Sequence, residues 1–226
     1  MSIFAISDLH LSLSSNKPMN VFRGWDNYVE RIQSNWTRIV GESDTVVLPG
    51  DLSWGLKLSE TVKDFELLNN LPGKKIILKG NHDLWWPTLT KLQNFLNENK
   101  FNTIQVVFNN AIVVEKMAVC GTRGWFFDSA EQGSKVINRE ASRLETSIVA
   151  AEDTGKKPLV FLHYPPVYST QVCNEIFEVL KKHNIETVYH GHIHGAGFYK
   201  SVTEYDGIKL KLISCDCIDF TPFFIV

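Results

Sequence analysis

Nine residues of this chain have the types and spacing to do chemistry. They fall in five short groups: Asp8 and His10; Asp51; Asn81, His82 and Asp83; His163; and His192 and His194. Carboxylates and imidazoles are metal ligands, an amide adds a neutral oxygen, and histidine can give or take a proton. The run Gly80-Asn81-His82-Asp83 is the densest group. There Asn81 could give a metal an oxygen, His82 could act as an acid or a base, and Asp83 could hold His82 in one orientation. Of the seven histidines, only His183 and His190 lie outside the five groups. Asp8-x-His10 and His192-x-His194 have period-two spacing, so on extended backbone both side chains of a pair would point the same way. Gly50, Gly80 and Gly191 sit just before ligand-type residues, where a sharp turn or close backbone approach is needed.

Taken singly, each of these residues reads as an ordinary hydrogen-bonded polar group at a strand end. Together they do not, because so many ionisable groups at one sheet edge would repel or stay unsatisfied without a cation. Two adjacent metals are the natural solution. Mixed carboxylate, imidazole and amide ligation suits manganese, iron or zinc better than calcium. One carboxylate must bridge them, and Asp51 is the lone acidic residue of its group.

The elements that must position these groups alternate at first. Ile3 to Ser7 reads as a buried strand, Trp25 to Val40 as an amphipathic helix, and Thr45 to Leu48 as a strand running into Pro49-Gly50-Asp51. A helix over Ser59 to Leu71, with Ser59 as its N-cap, precedes a third strand at Lys75 to Leu78. A further helix spans Trp85 to Asn97. This alternation argues for parallel strands in an α/β layering, with the site at the strands' C-terminal ends. Ile104 to Phe108, Ala111 to Glu115 and Met117 to Cys120 then read as an antiparallel meander. Ser134 to Glu152 is a long helix, Leu159 to Leu162 a strand, Asn174 to His183 a helix, and Thr187 to Tyr189 a strand. A hairpin turns at Asp206-Gly207.

The chain has 226 residues and is 44% hydrophobic, and no repeat, linker or domain boundary interrupts it. It reads as a single domain over 1–226. A net charge of −2 and a pI near 6.4 give no general attraction to nucleic acid or an anionic membrane. No apolar run is long enough to span a bilayer. Four cysteines and an N-terminus without a basic, apolar leader point to a reducing cytoplasm. Cys215-x-Cys217 is too short of further ligands to read as a structural zinc site.

Asp8-x-His10, Gly50-Asp51, Gly80-Asn81-His82-Asp83, His163 and Gly191-His192-x-His194 resemble, in order and approximate gaps, the five motifs of the calcineurin-like metallophosphoesterase superfamily. The resemblance covers residues 8 to 194 and implies a four-layer αββα sandwich, with two mixed sheets face to face and helices outside. It makes Asp8, His10, Asp51 and His194 the ligands of one metal, and Asp51, Asn81, His163 and His192 those of the other. His82, oriented by Asp83, would serve the substrate phosphate or leaving group. The activity implied is hydrolysis of a phosphomonoester or phosphodiester by a metal-bridging hydroxide. The metals would be two divalent or trivalent ions, Mn, Fe or Zn. No motif residue is missing, which argues against the alternative of a metal-binding scaffold without turnover. The other alternative, a nuclease, would need a basic groove that the overall charge does not favour.

Substrate contacts are expected from Trp54, Trp85 and Tyr164 beside the motifs, and from Arg123, held between two glycines after a strand. Trp86, Trp125, Phe126 and Phe127 are further aromatics of these loops, and for all the rings simple packing competes with stacking on substrate. Residues 122–157, the longest stretch between motifs without a metal-type residue, are the expected cap or specificity segment. The partner is a small phosphorylated molecule rather than long nucleic acid or a membrane.

Overall fold

The computed structural model describes residues 1–15, 17–125 and 133–226, the side chains at 133 and 134 excepted. Phe126, Phe127 and the rest of 126–132 lie outside the described residues.

Two sheets carry the fold. The first has the order β13-β1-β2-β3-β4, built from Phe223–Phe224, Ile3–Ala5, Thr45–Pro49, Lys74–Leu78 and Ile104–Val106. The pairings among β1, β2, β3 and β4 are parallel, and β13 runs antiparallel to β1. The second has the order β11-β12-β10-β7-β6-β5: Glu204–Tyr205, Ile208–Leu212, Thr187–His190, Lys157–Leu162, Met117–Thr122 and Ile112–Val114. β6, β7, β10 and β12 run parallel, with antiparallel hairpins at both edges. Val167–Tyr168 (β8) and Gln171–Val172 (β9) form a separate small hairpin.

The layering follows from strand period two. In β2, Val47 faces the second sheet while Val46 and Leu48 face outward; in β3, Ile76 and Leu78 face inward and Ile77 outward. In β7, Leu159 and Phe161 meet the first sheet, and Val160 and Leu162 face away from it. The strands are therefore apolar on both faces, and helices cover each outer face. The helices α1 (Tyr28–Ile39), α2 (Val62–Asn70) and α3 (Leu89–Glu98) place Ile32, Trp36, Phe65, Leu68, Leu92 and Phe95 on the first sheet. On the second, α4 (Gly133–Glu152) and α5 (Asn174–Lys182) place Leu144, Ile148, Ile176 and Leu180. The result is the four-layer αββα sandwich. Among the described residues no helix is long and apolar enough to cross a membrane.

Several expectations are corrected. The three-strand meander does not form: β4 pairs parallel with β3 in the first sheet, and only β5 and β6 make a hairpin, in the second. The chain crosses between sheets after Val107, whose N–H still bonds Ile77 O at 3.0 Å. The helix read from Trp85 starts at Leu89, because Pro87 disfavours helical backbone before it and cannot donate to the ladder. Ser59 lies in a short 3₁₀ turn, and α2 begins after Thr61. Within 122–157, the expected cap or specificity segment, α4 forms an outer layer of the sandwich with Ile137, Leu144 and Ile148 buried, and 126–132 lie outside the described residues.

Candidate metal centre and its surroundings

All five groups arrive at one place. Asp8, Asp51 and Asn81 follow β1, β2 and β3 of the first sheet, and His163 and His192 follow β7 and β10 of the second. They therefore meet at the C-terminal ends of parallel strands, where such sheets open a crevice.

The backbone there is not extended. Asp8, His10, Asp51 and His192 have φ of 62°, 47°, 53° and 72°, the left-handed region. Aspartate and histidine tolerate it better than most residues, yet such backbone still costs about 1–3 kcal/mol each where it is over-determined by its surroundings. Neighbouring strands hold it. The Asp8 N–H bonds Gly50 O and the His10 N–H bonds Asp51 O, both at 3.0 Å, and the Gly191 N–H bonds His163 O at 3.1 Å. The Tyr28 hydroxyl donates to His10 O at 3.1 Å. Two glycines are required by close approach: a Cβ on Gly80 would lie 2.1 Å from Asp51 Oδ1, and one on Gly191 2.1 Å from Asp8 Oδ2.

The donor atoms converge. Asp51 Oδ2 lies 3.8 Å from His10 Nε2 and 3.4 Å from His163 Nε2. Asp8 Oδ1 lies 3.4 Å from His194 Nε2 and 3.9 Å from His163 Nδ1. Asn81 Oδ1 is 2.6 Å from His163 Nε2 and 3.0 Å from His192 Nδ1. Two groups, Asp8–His10–His194 and Asp8–Asp51–His163, have ligand atoms all within 4.8 Å of one another.

This arrangement fits cations. Pro49 O, 3.1 Å away, can only accept, so His163 Nδ1 carries the hydrogen. Its Nε2 then turns a lone pair toward a carboxylate oxygen, and a cation between them reconciles two such acceptors. His10 Nδ1 is buried without a hydrogen-bond partner among the described residues. Burial pushes His10 and His163 down to about 3, which keeps both imidazoles neutral and fit for ligation. Burial, and then repulsion from Asp8, pushes the Asp51 carboxyl well up. Burial works against Asp8 too, but bonding to His194 holds it below the usual carboxylate range. A pair of carboxylates buried this closely lacks positive charge.

The other expected residues have different places. The His82 ring lies beside His10 and Trp54, with centroids 5.6 and 4.6 Å away, and is only partly buried. The His82 backbone N–H donates to Asp51 Oδ1 at 2.8 Å. Asp83 does not orient the His82 ring. Its carboxylate accepts the N–H groups of Asp51, Leu52 and Gly80 at 2.8–2.9 Å and the Trp85 indole at 3.1 Å, so it ties together the two ligand loops. Trp54 stacks on His10 at 4.7 Å and 20°. It lines a cavity of about 450 Å³ over the site, with Phe22, Arg23, Trp25, His82 and His194. Trp85 is interior, 3% exposed and edge-on to Phe65 at 5.2 Å, and so has no face for a substrate. Tyr164 is also buried, its ring packed 4.3 Å from that of His192. Arg123 does not line the cavity over the site; it faces a second cavity beside Glu140.

Sequence reasoning missed Asp216. Its carboxylate takes a hydrogen from His194 Nδ1 at 2.8 Å and another from the Gly195 N–H at 3.1 Å. Burial opposes protonation of His194, but bonds to Asp216 and Asp8 raise it to about 10. A signal existed: Asp216 follows β12 as Asp8 follows β1, a polar residue just past an apolar strand. Ser214 of the same loop donates to Asp8 Oδ2 at 3.1 Å.

Comparison with known proteins supports this geometry. The sequence model of calcineurin-like phosphoesterases matches residues 1–196. No curated protein matches. A protein of unknown function from Aquifex aeolicus, AQ665, superposes with TM-score 0.55 at 17% identity, covering 99% of this chain and 95% of that one. TT1561 of Thermus thermophilus gives 0.56 at 17% identity, covering 85% and 81%. Phosphopantetheinyl hydrolase from Mycobacterium tuberculosis gives 0.50 at 15% identity, covering 94% and 88%. At these identities the likeness is one of fold.

Proposed function

The chain belongs to the calcineurin-like phosphoesterase family, and from that premise we propose that it hydrolyses a small phosphomonoester or phosphodiester at a binuclear metal centre. The observation that carries the reading is the approach of Asp51 Oδ2 to both His10 Nε2, at 3.8 Å, and His163 Nε2, at 3.4 Å. One carboxylate oxygen thus faces the donors of both expected sets. Asp8, His10, Asp51 and His194 would hold one ion; Asp51, Asn81, His163 and His192 would hold the other. Manganese, iron or zinc suits these ligands. Bound metals would supply a nucleophilic water at neutral pH and neutralise phosphate charge.

The chain's own residues do the rest. His163, with its Nδ1–H fixed on Pro49 O, keeps Nε2 in the ligating tautomer. Asp216 does the same for His194. His82, at the edge of the open cavity and free of ligand duty, hydrogen-bonds the phosphate or protonates the leaving oxygen. Burial holds its pKa below the usual imidazole value. Trp54 offers a flat wall for the leaving group, with the Lys17 ammonium 5.3 Å from its ring.

The test is elemental analysis of purified protein together with turnover of p-nitrophenyl phosphate and bis-p-nitrophenyl phosphate with manganese. About two ions per chain with turnover is expected, and the preferred ester separates monoesterase from diesterase. Neither metal nor turnover after reloading would return the chain to a scaffold role. His82→Ala is expected to keep both metals and to lose roughly 10²–10⁴ in rate; full turnover with metals bound would remove His82 from the chemistry.

A further inference from the structure

A second cavity, of about 420 Å³, opens between the end of β3, the end of β6 and the first turns of α4. It shares no lining residue with the cavity over the metal ligands. Its polar wall is cationic: Lys79, Arg123, Arg139 and Arg143 face a single carboxylate, Glu140. Its other wall is apolar and includes Trp86 and Phe108.

The bland account is that the arginines neutralise Glu140, which is 1% exposed. That accounts for two of them at most. Glu140 is bound by Arg143 Nη1 at 2.7 Å and the Thr122 hydroxyl at 2.7 Å, with Arg123 Nη2 at 4.0 Å. Lys79 and Arg139 have no ion-pair partner among the described residues. Arg123 Nε is buried with no hydrogen-bond partner there. Both guanidiniums near Glu140 are braced on rings, Arg123 on Trp125 and Arg143 on Phe108, each 5.3 Å from the centroid. The cavity thus gathers two braced, partly buried guanidiniums with two cations surplus to Glu140, a cationic wall of the kind by which proteins hold phosphate groups.

We propose that this cavity is a second ligand site, separate from the metal centre, for a small phosphorylated molecule that carries at least two negative charges on an apolar or planar body. Lys79 and Arg139 would meet the phosphates with Arg123, and Trp86 and Phe108 would receive the body. The cavity is wired to the ligand loops. Lys79 immediately precedes Gly80-Asn81, and Arg123 O accepts the N–H groups of His163 and Tyr164 at 3.1 and 2.8 Å. Occupancy can therefore bear on Asn81 and His163.

The experiment is calorimetric titration of inorganic pyrophosphate, and separately of ADP, into metal-stripped protein, so that no metal can bind the probe. Saturable binding of one probe molecule per chain is expected, with ADP tighter than pyrophosphate and both weakened by added salt. Arg139→Ala, an exposed position that folding does not need, and Lys79→Met are each expected to weaken binding about tenfold or more. His82→Ala, at the metal centre, is expected to bind both probes unchanged. Melting curves of each variant confirm that it is folded. No saturable binding, or equal affinity in Arg139→Ala and Lys79→Met, would overturn the proposal. So would loss of binding in His82→Ala alone, which would put the anion at the metal centre instead. Because the protein is stripped, none of these outcomes depends on the phosphoesterase reading.

Discussion

Asp83 and Asp216 show how far a carboxylate can matter without touching the chemistry. Asp83 is wholly buried, and its oxygens are committed to the N–H groups of Asp51, Leu52 and Gly80. Asp83→Asn would turn an NH₂ toward donors that need an acceptor. Hydrogen bonds to charged groups contribute about 1.5–3 kcal/mol. We expect a loss of that order in urea denaturation, together with weaker metal binding because the loop carrying Asp51 loosens. An unchanged denaturation midpoint would show that the amides find other acceptors. Asp216 would act one bond further from the proposed metal, through His194. Removing such a partner of a ligating histidine typically costs 10–100-fold in metal affinity, and Asp216→Ala is expected to fall in that range by competition with a metal chelator. Affinity within about twofold of the unaltered protein would assign Asp216 to loop structure alone. Neither role could be read from the neighbouring residues in sequence. Asp83 stands beside His82, which invited the wrong partner, whereas its real partners are amides up to 32 positions away.

At the scale of elements, much was legible and the failures have common causes. Strands that are apolar on both faces, ending in Gly plus a ligand-type residue, mark themselves, and so does the Asp206-Gly207 hairpin, whose φ angles of 46° and 81° suit the expected turn. The sheet to which a strand belongs is not written locally. β4 and β5 have the same short apolar pattern and a tight turn between them, yet they lie in different sheets. Nor does spacing give backbone handedness: Asp8-x-His10 converges through left-handed residues rather than through an extended pair. Whether Trp54 or Trp85 faces the cavity is likewise set by packing, which stacks one on His10 and buries the other on Phe65. The glycines at strand ends allow a direct test of the convergence. A Cβ at Gly191 would meet Asp8 Oδ2 at 2.1 Å and Ser7 Oγ at 2.2 Å, so Gly191→Ala must push the Asp8 carboxylate or the Ser7 hydroxyl aside. Overpacking of that kind costs typically 1–3 kcal/mol, and metal binding should weaken with it. Gly155→Ala is the control: its φ is +69° but no atom lies within 4 Å of the added carbon. It should cost about 1 kcal/mol of backbone strain and leave metal affinity unchanged. Equal metal binding in the two variants would mean that the Asp8 side chain can move without loss.

The whole molecule makes the site a seam. Asp8, Asp51 and Asn81 come from the first sheet, His163, His192 and His194 from the second, and backbone hydrogen bonds join the sheets beside them. The Ser7 N–H reaches Ile213 O, and the Cys215 N–H reaches Ser7 O, each at 2.9 Å. A bound metal would therefore cross-link the two halves of the sandwich, and the unfolded chain, with its ligands scattered from residue 8 to 194, would hold it far less well. Binding to the folded state alone adds about 2.7 kcal/mol at a free metal concentration 100 times Kd. In a chain of this size each kcal/mol moves Tm by roughly 2–4 °C. Loading one site should thus raise Tm by about 5–10 °C, and loading the second should raise it further. Scanning calorimetry of stripped protein with rising manganese reads this directly. Asp51→Asn, which removes the carboxylate charge that the proposed reading places in both ligand sets, should flatten the response. The Gly155→Ala variant should shift in parallel with the unaltered protein from a lower start. If metal binds stoichiometrically and Tm stays fixed, the unfolded chain holds the ion as tightly as the folded one, and convergence of these residues across the seam adds nothing to metal affinity.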